Sequence, residues 1–89
     1  MKSQKEIQNY LNFLVKAKWV TLSQTVPYMS SKDYKDRMTA EALQLTIRIN
    51  KLSIALKTRN DPLMIKQLEF MKEYLDVLTK RMEQEGWDG

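Results

Sequence analysis

Apolar residues recur along this chain at helical spacing, and in two stretches they recur in matched order. Met38, Ala42, Leu45, Ile49, Leu52 and Leu56 are separated by alternating steps of four and three residues. Met64, Leu68, Met71, Leu75, Leu78 and Met82 repeat the same steps. A run with that period places its members on one stripe of a helix. Only the stretch from Thr58 to Asp61 separates the two helices, and so short a connection makes them antiparallel neighbours. Folding the chain there sets Leu56 beside Met64, Leu52 beside Leu68, Ile49 beside Met71, Leu45 beside Leu75, Ala42 beside Leu78 and Met38 beside Met82. Such a run of layers in register predicts a long helical hairpin.

Start and stop signals predict three helices, over about 4–25, about 31–58 and about 62–85. Ser3 and Glu6 have the spacing of a capping box. Pro27 pushes Val26 out of helical geometry and closes the first helix, whose last turn is rich in β-branched and aromatic residues (Trp19, Val20, Thr21) and is open to fraying. Ser30 is the expected N-cap of the second helix, with Asp33 three residues on. Asp61 caps the third, and Pro62 takes the first helical position, where a missing N–H costs nothing. Gly86 suits the left-handed C′ position, and in a Schellman ending Trp87 folds back onto Met82.

The seam leaves apolar surface over. Ala40, Leu43, Ile47, Asn50 and Ile54 form a second stripe on helix two, roughly opposite the first. Leu63, Phe70, Tyr74 and Val77 flank the seam of helix three. Helix one is apolar around most of its circumference, with Ile7, Leu11, Val15 and Trp19 on one stripe and Tyr10, Phe13 and Leu14 on others, so it needs covering on two sides. The expected architecture is an all-α single domain: the hairpin, helix one packed on it, and a helical bundle completed by a homo-oligomer, a dimer being favoured. A monomer would expose more apolar surface than monomers usually carry. Asn50 either fixes the register of such an assembly or fills an exposed gap in an imperfect stripe.

Composition narrows the chemistry. The 89 residues include no Cys and no His, which removes thiol nucleophiles, thiolate metal sites, imidazole bases and disulfides together. No Gly-rich phosphate loop is present, and no nucleophile stands with a base and an oxyanion donor, so no enzyme activity, cofactor or metal is expected. Glu69, Glu73 and Asp76 share a face that could be read as a cation site, but Lys66, Lys72 and Lys80 lie on or beside it at ion-pair spacing and make it a solvated charged face. Met29, Met38, Met64, Met71 and Met82 fit an adaptable groove, yet most of them fall in the hairpin seam as core. Phe13-Leu14-Val15 is cut short by Lys16 and Lys18, so neither a signal peptide nor a membrane span is expected, and a cytoplasmic location is.

The net charge of +4 is uneven: residues 1–30 carry +3, residues 31–60 carry +4 and residues 61–89 carry −3. Arg48, Lys51, Lys57 and Arg59 give the end of helix two four cations and no acid, a candidate phosphate-contacting patch, with Lys16, Lys18 and Trp19 as additions. Lys57 and Arg59 are equally explained as favourable charge at a helix C-terminus. The leading functional expectation is a non-enzymatic module that binds a protein partner through Trp19, Leu43, Ile47, Asn50, Ile54, Phe70, Tyr74 and Val77. The alternatives are a nucleic-acid-binding accessory protein using the basic patch, and a structural subunit of a larger assembly.

The run from Leu68 to Glu83, with Met71, Tyr74, Leu75, Leu78 and Arg81 within it, resembles the last helix of short helical proteins encoded by phages and prophages of Gram-positive bacteria. The resemblance covers the C-terminal helix. It implies a small protein that binds host or phage proteins, including inhibitors that act in host takeover or against host defence.

Overall fold

The computed structural model describes residues 2–17 and 33–87, and these form three α-helices with no strand among them. Helix α1 spans Gln4–Ala17, α2 spans Tyr34–Ala55 and α3 spans Pro62–Gln84. The expected extension of the first helix beyond residue 17, with Trp19, and the expected Ser30 cap lie outside the described residues.

Local chemistry fixes the helix ends. The Ser3 N–H donates to the Glu6 carboxylate at 3.2 Å, and the Glu6 N–H donates to the Ser3 hydroxyl at 3.3 Å, closing the capping box reciprocally. The Ser3 backbone N–H, followed by the Ser3 hydroxyl, holds the Glu6 carboxyl below its ordinary range. Asp33 caps α2, its side chain accepting from the Lys35 N–H at 2.9 Å, three residues later than the Ser30 cap expected. Asp61 caps α3 by accepting from the Leu63 and Met64 N–H groups at 3.0 and 3.4 Å, with Pro62 at the first position. The ending of α3 is the Schellman motif: Gly86 has φ 71°, its N–H bonds to the Glu83 carbonyl, and the Trp87 N–H bonds to Met82 at 3.0 Å.

Helices α2 and α3 make the closest pairing, as the matched seams predict. Met38, Ala42 and Leu45 of α2 are buried in one cluster with Leu78 and Met82 of α3, and Met71 and Leu75 pack against it. The other half of the seam differs. Ile49, Leu52, Leu56, Met64 and Leu68 are only half-buried, because α1 lies across the open end of the hairpin and not its turn. Ile7 and Leu11 supply the buried face of α1, with Tyr10, Leu14 and Val15 partly buried around them.

Polar contacts hold α1 in place. The Gln4 side-chain amide donates to the Asp76 carboxylate at 2.8 Å, to the Asp76 carbonyl at 3.0 Å and to the Thr79 hydroxyl at 3.1 Å. The Gln8 amide reaches the same hydroxyl at 3.1 Å, and the Gln4 N–H donates to the Glu83 carboxylate. Thr79 is fully buried and donates to the Leu75 carbonyl at 2.8 Å, as Thr46 does to Ala42 at 2.7 Å, so these hydroxyls enter the core satisfied.

The expected second stripe of α2 is part of this interior. Ala40, Leu43 and Ile47 are buried, and Leu43 belongs to the same cluster as Ile7 and Leu11. Asn50 is half-buried and Ile54 is exposed, so the stripe is covered towards the open end and emerges near the turn. No described helix is long and apolar enough to cross a membrane.

Candidate binding face

The apolar surface left uncovered is concentrated on α3. Leu63 is 78% exposed, Phe70 59%, Val77 53% and Tyr74 44%, and all four lie on one stripe of the helix. Ile54, 63% exposed, is a separate apolar side chain at the surface near the end of α2. Of the residues expected to form a protein interface, Phe70, Tyr74, Val77 and Ile54 are therefore at the surface. Leu43 and Ile47 are inside, Asn50 is between, and Trp19 lies outside the described residues.

Between this stripe and α2 runs an apolar groove of about 530 Å³, walled by Leu45, Leu63, Lys66, Gln67, Phe70, Met71 and Tyr74. The Lys66 ammonium stands 5.9 Å from the centre of the Phe70 ring, a cation–π approach one helical turn apart. The Glu41 carboxylate of α2, with partial burial second, raises the Tyr74 pKa above the ordinary phenol value.

A smaller recess of about 300 Å³ adjoins it, sharing Gln67 and Met71 and adding Arg48, Lys51 and Leu52. Arg48 and Lys51 of the expected basic patch thus converge on the groove. Lys57 and Arg59 are exposed near the turn and do not line it. A third depression, of about 420 Å³ and lined by Tyr34, Arg37, Met38, Glu41, Gln44 and Arg81, lies toward the other end of the hairpin. There the Tyr34 hydroxyl donates to Glu85 at 2.7 Å, and that bond raises the Tyr34 pKa.

The carboxylates of α3 do not gather into a cation site. Asp76 receives the Lys80 ammonium at 2.9 Å and the Gln4 amide, and these two bonds, in that order, hold its carboxyl below the usual range. Among the described residues no group of three or more acidic side chains is placed to hold a metal ion.

Sequence reasoning placed Leu45 in the seam and Lys66 on a charged face, and so missed both as walls of the groove. The signal for Lys66 was present: it stands four residues before Phe70, at the spacing that lets a long side chain cover a ring. A face and a groove of this kind are suited to holding a molecule.

A family model described as Sequestin matches residues 32–84, which is more than half of the chain. The chain belongs to the Sequestin family. The match takes in α2, the turn and α3, the elements that build the groove and the exposed stripe, while α1 falls outside it. No curated protein and no solved structure matches the chain.

Proposed function

We propose that this Sequestin-family chain is a non-enzymatic helical binding protein that holds a protein partner against the exposed stripe of α3. The observation that carries this reading is the row Leu63, Phe70, Tyr74 and Val77, which stays exposed while Ala40, Leu43 and Ile47 of the α2 stripe are buried. Large exposed apolar side chains gathered on one face mark interaction surfaces, and aromatic residues dominate the energetics of such contacts. The family name itself speaks of sequestering, which agrees with a role in capture. The likeness of α3 to short phage proteins supports an inhibitor or regulator that acts on a host protein in host takeover or anti-defence.

The test is affinity capture from host cells with the wild-type chain and with Phe70→Glu, followed by quantitative mass spectrometry. A protein retained by the wild type and lost from the variant is the expected result. Identical captured sets would overturn the reading.

A second reading follows from the recess that joins the groove. An aromatic wall of Phe70 and Tyr74, an amide at Gln67 and cations at Lys66, Arg48 and Lys51 fit a small anionic ligand with a flat ring, such as a nucleotide. The dimensions match a small molecule better than a duplex, which narrows the nucleic-acid alternative. Binding of phosphorylated ring compounds that weakens with salt and with Arg48→Ala would favour it. No change with either would exclude it.

A further inference from the structure

We infer that the turn end of the hairpin is an acid-recognising surface, and that the partner presents a carboxylate-bearing segment to it. The inference rests on the reading that the chain binds a protein, and it gives the chemistry of the segment bound. It assigns no occupant to Phe70, Tyr74 and Val77.

The net charge of the whole chain is gathered at this end. Residues 48–67 run from the last turns of α2, through the turn, into the start of α3. They hold Arg48, Lys51, Lys57, Arg59 and Lys66 against a single acid, Asp61. The remainder of the chain carries ten basic and ten acidic side chains, so the net charge of +4 comes entirely from this segment. All five cations are exposed, and none forms an ion pair among the described residues. Asp61 is engaged as the cap of α3.

Helix electrostatics account for part of the cluster only. Lys57 and Arg59 follow the C-terminus of α2, where cations are favoured. Arg48 and Lys51 stand a turn or more before that end. Lys66 stands near the N-terminus of α3, where the dipole favours acids, and the first turn of α3 holds none. Three of the five cations are therefore left for some other purpose.

Shape selects the class of partner. Arg48, Lys51 and Leu52 of α2 line the recess of about 300 Å³ together with Gln67 and Met71 of α3. Those two α3 residues also belong to the adjoining groove, which Lys66 and Leu63 help to wall. Cations thus stand on both sides of a concave, partly apolar channel. A flat bilayer cannot follow such a concavity, and a duplex is too wide to enter it. Phosphates, moreover, gain nothing from Leu63, which is 78% exposed beside the cations. A protein segment supplies both parts: an apolar side chain to cover Leu52, Met71 and Leu63, and carboxylates for Lys51, Lys66 and Arg48. The planar guanidinium of Arg48 matches a carboxylate in two-point contact. Uncompensated cations around the site also speed the encounter with an acidic partner.

Fluorescence anisotropy on the full chain tests this, with circular dichroism as the check on folding. The probes are a labelled amphipathic peptide of glutamate and leucine at helical spacing, the same peptide with lysine for glutamate, and a labelled single-stranded oligonucleotide. Co-sedimentation with phosphatidylglycerol vesicles covers the membrane alternative. The glutamate peptide should bind, more weakly as salt rises. The double variant Arg48→Glu/Lys51→Glu should bind it about tenfold more weakly or worse. Lys5→Glu/Lys72→Glu changes the net charge equally but away from the turn, and should weaken binding by less than about threefold. Absence of binding, equal weakening in the two double variants, or equal binding of the lysine peptide would overturn the inference. So would tighter binding to the oligonucleotide or the vesicles. If the peptide fails while capture from host cells still depends on Phe70, this inference falls and the protein-binding reading stands. If both fail, both fall.

Discussion

The indole N–H of Trp87 donates to the Thr39 hydroxyl at 2.8 Å, and this bond ties the residue that follows α3 to the first turns of α2. Both groups are buried, and the Trp87 ring also packs on Tyr10 of α1 with ring centres 5.5 Å apart. One side chain therefore meets all three helices. Thr39 spends its own proton on the Lys35 carbonyl at 2.9 Å, which leaves its oxygen oriented to accept. Thr39→Val should leave the indole N–H buried without a partner and cost about 1–3 kcal/mol. Urea denaturation followed by circular dichroism measures this, and an unchanged midpoint would show that the bond does not support the fold.

Gly86 makes that contact possible. Its φ of 71° is unfavourable for a residue with a Cβ, and it turns the chain so that Trp87 points back to the core. Gly86→Ala should cost about 1–2 kcal/mol from the backbone alone. A loss that also includes the Trp87 packing would appear as a smaller further effect of Thr39→Val in the Gly86→Ala background than in the wild type.

Truncation along the seam should follow the burial, not the periodicity. Leu78 is fully buried under α1, so Leu78→Ala should cost about 2–5 kcal/mol. Leu52 belongs to the same seam but is half-buried near the turn, and its truncation should cost clearly less. Equal losses, measured by urea unfolding, would mean that the turn end is as tightly packed as the open end.

The hairpin and the two ends of α3 were legible in the sequence because their causes are local, whereas α2 is capped by Asp33 and not by the expected Ser30. A four-three repeat, an Asp before a Pro and a Gly at the end of an apolar run each act over a few residues, and each holds in the structure. The side on which α1 packs was not legible. Both α2 and α3 carry a spare apolar stripe, and α1 is apolar on most of its circumference, so periodicity alone could not say which stripe would be covered. The choice is made by contacts far apart in the chain. Gln4 and Gln8 find Thr79 and Asp76, and that sets Ile7 and Leu11 beside Leu43 and leaves Phe70 bare.

The Asp76 contacts should give this docking a dependence on acid. Its carboxyl pKa is lowered in the fold, first by Lys80 and then by Gln4, so its stabilising contribution is present above the unfolded value. That contribution is lost as the pH falls through the lower folded value. Carboxyl titration by NMR should show Asp76 below a free aspartate, and Gln4→Ala should move it partway back. An identical titration in the variant would mean that Lys80 alone holds the charge.

Ile47 and Ile54 share the second stripe of α2 but sit on opposite sides of the protein boundary. Ile47 is buried in the three-helix interior, whereas Ile54, two turns further along α2, is mostly exposed. A carboxylate at Ile47 would need to be desolvated in the core or taken up as the neutral acid, and either adds to the loss of apolar burial. The sum approaches the total stability of a domain this size, about 5–15 kcal/mol. Ile47→Glu should therefore unfold the chain at any protein concentration. Ile54→Glu should leave the helix content intact and change stability by about 0.5 kcal/mol or less. Circular dichroism and urea titration across a range of concentrations separate the two. A folded Ile47→Glu chain whose stability falls on dilution would instead place that stripe between subunits, with α1 displaced from it.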